Sequence, residues 1–181
     1  MMYRKFLVFF LAFPLFGALL QAPQFSLSYD DKNWEYVPAA NDPKIQQKEA
    51  VDQAMAEQTL AVLQRKNADD KYRPRISVVV DPLKKEMQGT TPLLAYQKHA
   101  VDFMKSQRFT IQSQAPKQLS IGENAVEITA TQRDFGLTFR QIIFVKNDKA
   151  YLLTATTRTD KFPSYEKEID SILASFKWSA N

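Results

Sequence analysis

The chain has 181 residues, of which 45% are hydrophobic and 24% are charged, and its formal net charge is +4 at pH 7. It contains no cysteine and one histidine, which excludes disulfides, thiol catalysis, cysteine-based metal sites and any site built on two imidazoles. The four glycines are scattered, so neither common glycine-rich phosphate-binding motif is present, and the length is typical of one domain.

The N-terminal residues have the pattern of an export signal. Two basic residues precede a fifteen-residue run without charge at positions 6–20, which is too short for a comfortable transmembrane helix. We therefore predict a signal peptide over residues 1–22, with cleavage after Ala22. Because Pro23 follows that bond and hinders cleavage, an uncleaved N-terminal anchor is the alternative interpretation.

Export places the protein in the periplasm or outside the cell, or tethers it to the inner membrane through the leader. Without the leader the net charge falls to +2, which gives little attraction to nucleic acid or to an anionic membrane. We expect no nucleic-acid partner, and membrane contact only through an uncleaved leader. The acidic pairs Asp30–Asp31 and Asp69–Asp70 lack the spacing of calcium loops, so we expect no metal and no cofactor.

The first half of the remaining chain predicts strands and two helices. Alternating apolar and polar residues predict strands at 25–29, 34–37, 59–63 and 75–80. Asp42 and Pro43 form a helix-start signal for a thinly apolar helix at 44–58. A second helix is predicted from Thr91 to about Gln107. Its apolar face consists of Leu93, Tyr96, Ala100 and Phe103.

The second half predicts a meander of strands at 109–111, 117–121, 125–133, 137–145 and 150–158, followed by a closing helix from Pro163. The closing helix carries the strongest apolar stripe, at Tyr165, Ile169, Ile172 and Phe176. Strand 137–145 is apolar on both faces at its far end. We therefore predict one α+β domain at 23–181, with a central, mostly antiparallel sheet of about six or more strands and helices on both faces.

Five stretches of the chain share a pattern with a known family: the opening strand that leads to Trp34, the helix at 93–107, the strands at 122–131, the hairpin arm at 149–156 and the closing segment at 162–178. Together these stretches resemble the PsbP-like superfamily. That superfamily includes PsbP, the exported DcrB-type proteins and a Ran-binding import factor. The resemblance implies a helix–sheet–helix sandwich that acts mainly as a binding or assembly module. The lipobox cysteine of lipoprotein relatives is absent, so any tether would be the leader itself.

Arg140 is the strongest candidate for a binding residue. A two-residue turn at 147–148 would pair Arg140 with Ala155 and Thr138 with Thr157 on one face of the sheet. Thr131 and Arg133 join them if the preceding hairpin also has a two-residue loop. The set predicts a patch for an anion or polar ligand. The alternative is a solvated end of the sheet, with Arg140 stacked on an aromatic ring or paired with Glu127.

His99 and Asp102 lie three residues apart on one predicted helix and would form the acid–base half of a catalytic site. No nucleophile-elbow motif completes a triad, so we interpret them as a solvated surface pair opposite Phe103 and assign no catalytic residue. The sequence thus predicts an exported, non-enzymatic binding or assembly module that recognises an envelope protein or a small ligand. The alternatives are a small hydrolase or transferase, and a lipid or small-molecule carrier with a large apolar cavity.

Overall fold

The computed structural model describes residues 17–38, 58–66, 72–89 and 91–179. These ranges hold ten strands and two α-helices. The strands are β1 (Ala18–Gln21), β2 (Phe25–Tyr29), β3 (Trp34–Val37), β4 (Thr59–Arg65), β5 (Arg75–Pro82), β6 (Phe109–Gln118), β7 (Asn124–Gln132), β8 (Leu137–Lys146), β9 (Lys149–Arg158) and β10 (Lys177–Trp178). The helices are α1 (Pro92–Ser106) and α2 (Phe162–Ala174). The predicted helix at 44–58, apart from Gln58, and the acidic pair at 69–70 lie outside the described residues.

The larger sheet contains seven strands in the order β3-β4-β5-β9-β8-β7-β6, and every neighbouring pair is antiparallel. This architecture confirms the predicted α+β fold class. The two strands predicted at 109–111 and 117–121 are one strand, β6. A bulge between Ile111 and Ser113 re-aims it, and its position at the sheet edge accommodates Pro116, which has no N–H to donate to a neighbouring strand.

The hairpin formed by β8 and β9 has the predicted register. Asn147 and Asp148 have φ angles of 51° and 58°, as the two central residues of a type I′ turn require. The turn pairs Phe144 with Tyr151 and Arg140 with Ala155. Because side chains alternate along a strand, this register decides which face of the sheet receives each residue of both strands.

A smaller sheet, in the order β1-β2-β10, closes one side of the domain. Its first strand consists of residues that the sequence assigns to the end of the leader. Leu20 in β1 is buried in the core, and the carbonyl of Ala22 accepts a hydrogen bond of 2.9 Å from the Ser179 hydroxyl. Removal of the leader stays a prediction. No helix within the described ranges is long and apolar enough to cross a membrane.

The two helices pack on opposite faces of the larger sheet. Ile172 in α2 and Phe176, two residues beyond its end, are buried in the same cluster as Phe144 of the sheet. Helix α1 lies over β6, β7 and β8 and buries a stripe against Ile128 and Ile143. The stripe consists of Tyr96, Ala100, Val101 and Met104.

The prediction that Phe103 belongs to the buried face of α1 is wrong, since this side chain is 59% exposed. Phe103 lies at the margin of the stripe, on the side of α1 away from Val101. There the helix faces the part of the sheet formed by β9 and β5. A groove separates Phe103 from those two strands, so its side chain stays exposed.

Candidate functional site

A groove of about 420 Å³ lies between α1 and the part of the sheet that the helix leaves uncovered. The strands contribute one wall and the helix the other, and both are largely apolar. The sheet supplies Val79, Phe139 and Leu152, and the helix supplies Ala100, Phe103 and Met104. Alternation along the strands brings Val79 and Leu152 side by side, because β5 and β9 pair them directly. The groove can therefore hold an apolar molecule against both walls.

Two polar pairs interrupt the apolar lining. The Tyr96 hydroxyl on α1 donates a hydrogen bond of 2.6 Å to Oδ2 of Asp81, at the end of β5. Burial, together with this hydrogen bond, raises the pKa of Tyr96 above its ordinary value. On β8, Gln141 donates a hydrogen bond of 2.9 Å from Nε2 to Oγ1 of Thr154, its cross-strand neighbour on β9.

The other polar atom of the Gln141 side chain, Oε1, takes no part in the hydrogen bond to Thr154. Gln141 is 8% exposed, and its Oε1 is buried without a hydrogen-bond partner in the described part of the chain. A buried carbonyl oxygen without a donor is unfavourable by about 1–3 kcal/mol. Gln141 lines the groove, so the sheet wall contains a buried acceptor oxygen that has no protein donor among the described residues.

His99 lies at the rim of the groove, on the same side of α1 as Phe103 rather than opposite to it. Its ring meets Tyr96 edge-on, with 6.0 Å between centroids. Asp102 accepts a hydrogen bond of 2.6 Å from Lys98, and this bond lowers the pKa of Asp102. The expected solvated pair of His99 and Asp102 therefore does not form, because Asp102 pairs with Lys98.

Arg140 lies on the opposite face of the sheet, beneath α2. Its side chain is 11% exposed and donates hydrogen bonds to Glu166, at 2.6 Å, and to Asp170. Glu127 lies 4.0 Å from its Nε, and the guanidinium carbon lies 4.9 Å from the centroid of the Phe162 ring. Burial alone would lower the pKa of Arg140, but the hydrogen bonds to Glu166 and Asp170 outweigh it and raise the pKa. The geometry therefore neutralises this cation with acidic side chains of α2 and β7.

Two other members of the predicted patch are not solvated as expected. Thr138 and Thr157 are 4% and 1% exposed, on the face of the sheet against which α2 packs. The Thr138 hydroxyl donates to Thr159 Oγ1 at 3.1 Å. Thr131 lies opposite Thr138, as predicted, whereas Arg133 is exposed in a short 3-10 turn outside the strands. That these residues bind a ligand stays a prediction.

Acidic residues elsewhere have structural contacts. The Asp30 carboxylate accepts hydrogen bonds from the Lys32 backbone and from the Asn33 side chain, as is typical of a turn. Within the ranges that the structure describes, no three His, Asp or Glu side chains are grouped so that they could hold a metal ion.

The sequence profile of the family described as "PsbP-like protein" matches residues 21–178. The chain belongs to the PsbP-like family. The solution structure of cyanobacterial PsbP from Synechocystis is similar, with a TM-score of 0.54 and 12% identity over 86% of each chain. A crystal structure of a protein of unknown function from Pseudomonas aeruginosa has a TM-score of 0.52 and 17% identity, over 66% of this chain and 83% of that one.

At these identities the two solved structures show that the PsbP-like chain shares their fold, and nothing about its activity. A search of curated protein sequences finds no significant match. The functional interpretation of this PsbP-like chain therefore rests on its own residues.

The sequence pattern did not identify three polar residues of this candidate site, which are Asp81, Tyr96 and Gln141. The sequence did contain one indication of Gln141, because it is a polar residue next to the apolar run that ends β8, and the predicted register already placed it opposite Thr154. It did not show which strands α1 leaves uncovered. Which strands α1 covers depends on how the helix crosses the sheet, and the periodicity of the helix sequence does not give that crossing.

Proposed function

We propose that this PsbP-like chain is an exported, non-enzymatic binding module of the cell envelope, and that its ligand is a small molecule held in the groove beside α1. The observation that carries the proposal is the concave, mostly apolar groove of about 420 Å³ with a few polar groups in its walls. Ligand pockets typically measure about 300–1,000 Å³ and have this mixture of apolar walls and isolated polar groups.

The hydrogen bonds of the groove support binding over chemistry. A catalytic site needs a nucleophile or an acid–base group placed to act on a substrate. Here Tyr96 on the helix donates to Asp81 on the sheet, and Gln141 donates to Thr154 within the sheet. The donors of these polar groups are therefore used in protein hydrogen bonds. What they offer to a ligand is acceptor oxygen atoms, which orient a molecule without reacting with it.

The shape of the site supports a small ligand over a flat protein interface. The walls are a helix and a sheet that face each other, and a molecule between them would lose most of its contact with water. The exposed Phe103 forms a lip over the opening. Of the alternatives that the sequence leaves open, the small-molecule carrier is therefore compatible with this proposal. The location is supported by the basic, then uncharged, N-terminal residues.

Native mass spectrometry of the protein from its own cell envelope tests the proposal. We expect the wild-type chain to retain a small molecule, and Ala100→Trp, which fills the groove from α1, to lose it. Leu94→Trp is the matched control, because Leu94 is 59% exposed on the same helix and does not line the groove. Phe103→Asp provides a second variant in case Ala100→Trp does not fold, since Phe103 is exposed and its replacement places a charge at the opening.

Two results contradict the proposal. Wild-type protein without any bound small molecule, after gentle extraction, would remove the ligand-binding function. A ligand retained equally by the wild type, Ala100→Trp and Phe103→Asp would place the binding site elsewhere. Cell fractionation tests the location separately, and an intact leader on a cytoplasmic protein would contradict export.

A further inference from the structure

We propose that the groove selects a single-chain amphiphile whose head group is a cationic hydrogen-bond donor, such as a primary amine. This inference rests on the proposed function, because it names the ligand class of the same groove. It combines the charge of the lining and the volume between the walls.

The charge of the lining favours a cation. The described residues that line the groove include one carboxylate, Asp81, one imidazole, His99 at the rim, and no lysine or arginine. One Asp81 oxygen accepts from Tyr96, so that hydrogen bond fixes the carboxylate beside the groove rather than neutralising it. A cation in a largely apolar groove gains more from this carboxylate than it would in water, and an anion is repelled by it.

The hydrogen-bonding capacity of Asp81 favours a head group that donates. One carboxylate oxygen accepts from Tyr96, and an ammonium group has three donors and no acceptor to offer to the other oxygen. Gln141 lies two strands from Asp81 and four residues further along β9, about 16 Å away, so its buried Oε1 does not contact the same head group.

The apolar walls and the volume define the body of the ligand. At about 30 Å³ for each water-sized group, 420 Å³ holds about fourteen non-hydrogen atoms. An alkyl chain of about eight to twelve carbons fits that volume. Leu152 and Val79 on one wall, and Met104 on the other, provide the apolar contacts. The Met104 thioether adapts to chains of different shape.

Isothermal titration with three probes of identical chain length tests the head-group preference. The probes are octylamine, 1-octanol and octanoate, each below its micellar concentration. The titrations run at pH 8, above the range in which imidazoles usually titrate. We expect octylamine to bind most tightly, at least ten-fold tighter than octanoate, with 1-octanol between them.

Two substitutions separate the charge of Asp81 from the amide of Gln141. Asp81→Asn keeps an acceptor for Tyr96 and removes the charge, so we expect octylamine affinity to fall about ten-fold and octanoate affinity not to fall. Gln141→Leu removes an acceptor that is too far from Asp81 to contact the same head group, so we expect it to change the ratio of octylamine to octanoate affinity by less than about two-fold. Asp102→Asn is the matched control, because it removes an exposed carboxylate from the outer side of α1, and we expect no change.

Different failures have different meanings. If all three probes bind equally and Ala100→Trp blocks them, the groove is a ligand site and the head-group inference is overturned. If octanoate binds as tightly as octylamine, or Asp81→Asn has no greater effect than Asp102→Asn, the inference is also overturned. If no probe binds and native protein retains no molecule, the proposed function itself fails. Circular dichroism of each variant verifies that it is folded, and Asp81→Ser, which also removes the charge and keeps an acceptor for Tyr96, replaces Asp81→Asn if the latter is not.

Discussion

Arg140→Met is the substitution that separates a structural role of Arg140 from a binding role. Methionine keeps a long apolar side chain over the Phe162 ring and removes the charge and the donors. The variant breaks the hydrogen bonds to Glu166 and Asp170, which tie α2 to β8. It also leaves these two acids, four residues apart on α2, without the cation between them, where like charges repel.

The magnitude follows from burial. A hydrogen bond to a charged partner contributes about 1.5–3 kcal/mol when it is well shielded from water. Arg140 is shielded, with 11% of its side chain exposed, but Glu166 and Asp170 are 45% and 47% exposed, so the contribution of each bond must be reduced. Glu127 keeps a partner, since Lys117 also pairs with it. We therefore expect Arg140→Met to lower the free energy of unfolding by about 2–3 kcal/mol.

Urea denaturation followed by circular dichroism measures this change. Arg158→Met is the control, because the pair of Arg158 and Asp160 is 45% and 55% exposed, and such surface pairs contribute about 0–1 kcal/mol. With typical m-values, the midpoint of Arg140→Met should fall by about 1 M urea. A loss no larger than that of Arg158→Met would refute the structural role. If Arg140→Met lost ligand binding at unchanged stability, the polar patch predicted from the sequence would be supported instead.

Three further predictions follow from the same contacts. Phe176→Ala should lower the free energy of unfolding by about 3–5 kcal/mol, because Phe176 is 2% exposed and packs in an aromatic cluster. Its ring centroid lies 5.1–5.3 Å from those of Phe25, Phe144 and Trp178. A loss below about 0.5 kcal/mol in urea denaturation would mean that α2 is not docked as described. Burial and the hydrogen bond to Asp81 raise the pKa of Tyr96 in the folded protein. As pH rises, the phenol therefore ionises in the unfolded chain, near pH 10, before it ionises in the folded protein. The stability that Tyr96 contributes is complete below that pH and declines above it. Tyr96→Phe should therefore show a smaller loss of stability between pH 9 and pH 11, and an unchanged pH dependence would contradict the raised pKa. A chain that begins at Pro23 lacks β1 and exposes the core that Leu20 covers, so it should unfold at lower urea than the chain that retains residues 18–22; equal stability would show that β1 contributes nothing.

The sequence predicted the sheet well because local rules decide it. A two-residue turn at Asn147–Asp148 determines the pairing of β8 and β9, and alternation then assigns every side chain of the hairpin to a face. Clear alternation in β7 and the apolar stripe of α2 fall under the same rules. The predicted fold class and hairpin register are confirmed for this reason.

The surroundings of Arg140 could not be predicted in the same way. Glu166 and Asp170 lie on the same side of α2, which is readable from their spacing, but which end of the sheet they reach depends on how α2 docks. Thr138 and Thr157 are polar residues, yet both are buried on the face of the sheet against which α2 packs. A polar residue in a strand indicates solvent only when no helix covers it, and that condition is a property of the tertiary structure.

Intermolecular nuclear Overhauser effects between bound octylamine and the protein test the central claim most directly. The claim predicts contacts from the alkyl chain to the methyl groups of Leu152, Val79 and Met104, with the amine end nearest Asp81. Ile172, a buried residue of α2 on the other face of the sheet, should show none. Contacts from the alkyl chain to residues of the α2 face, with none to Leu152 or Met104, would contradict the groove as the ligand site.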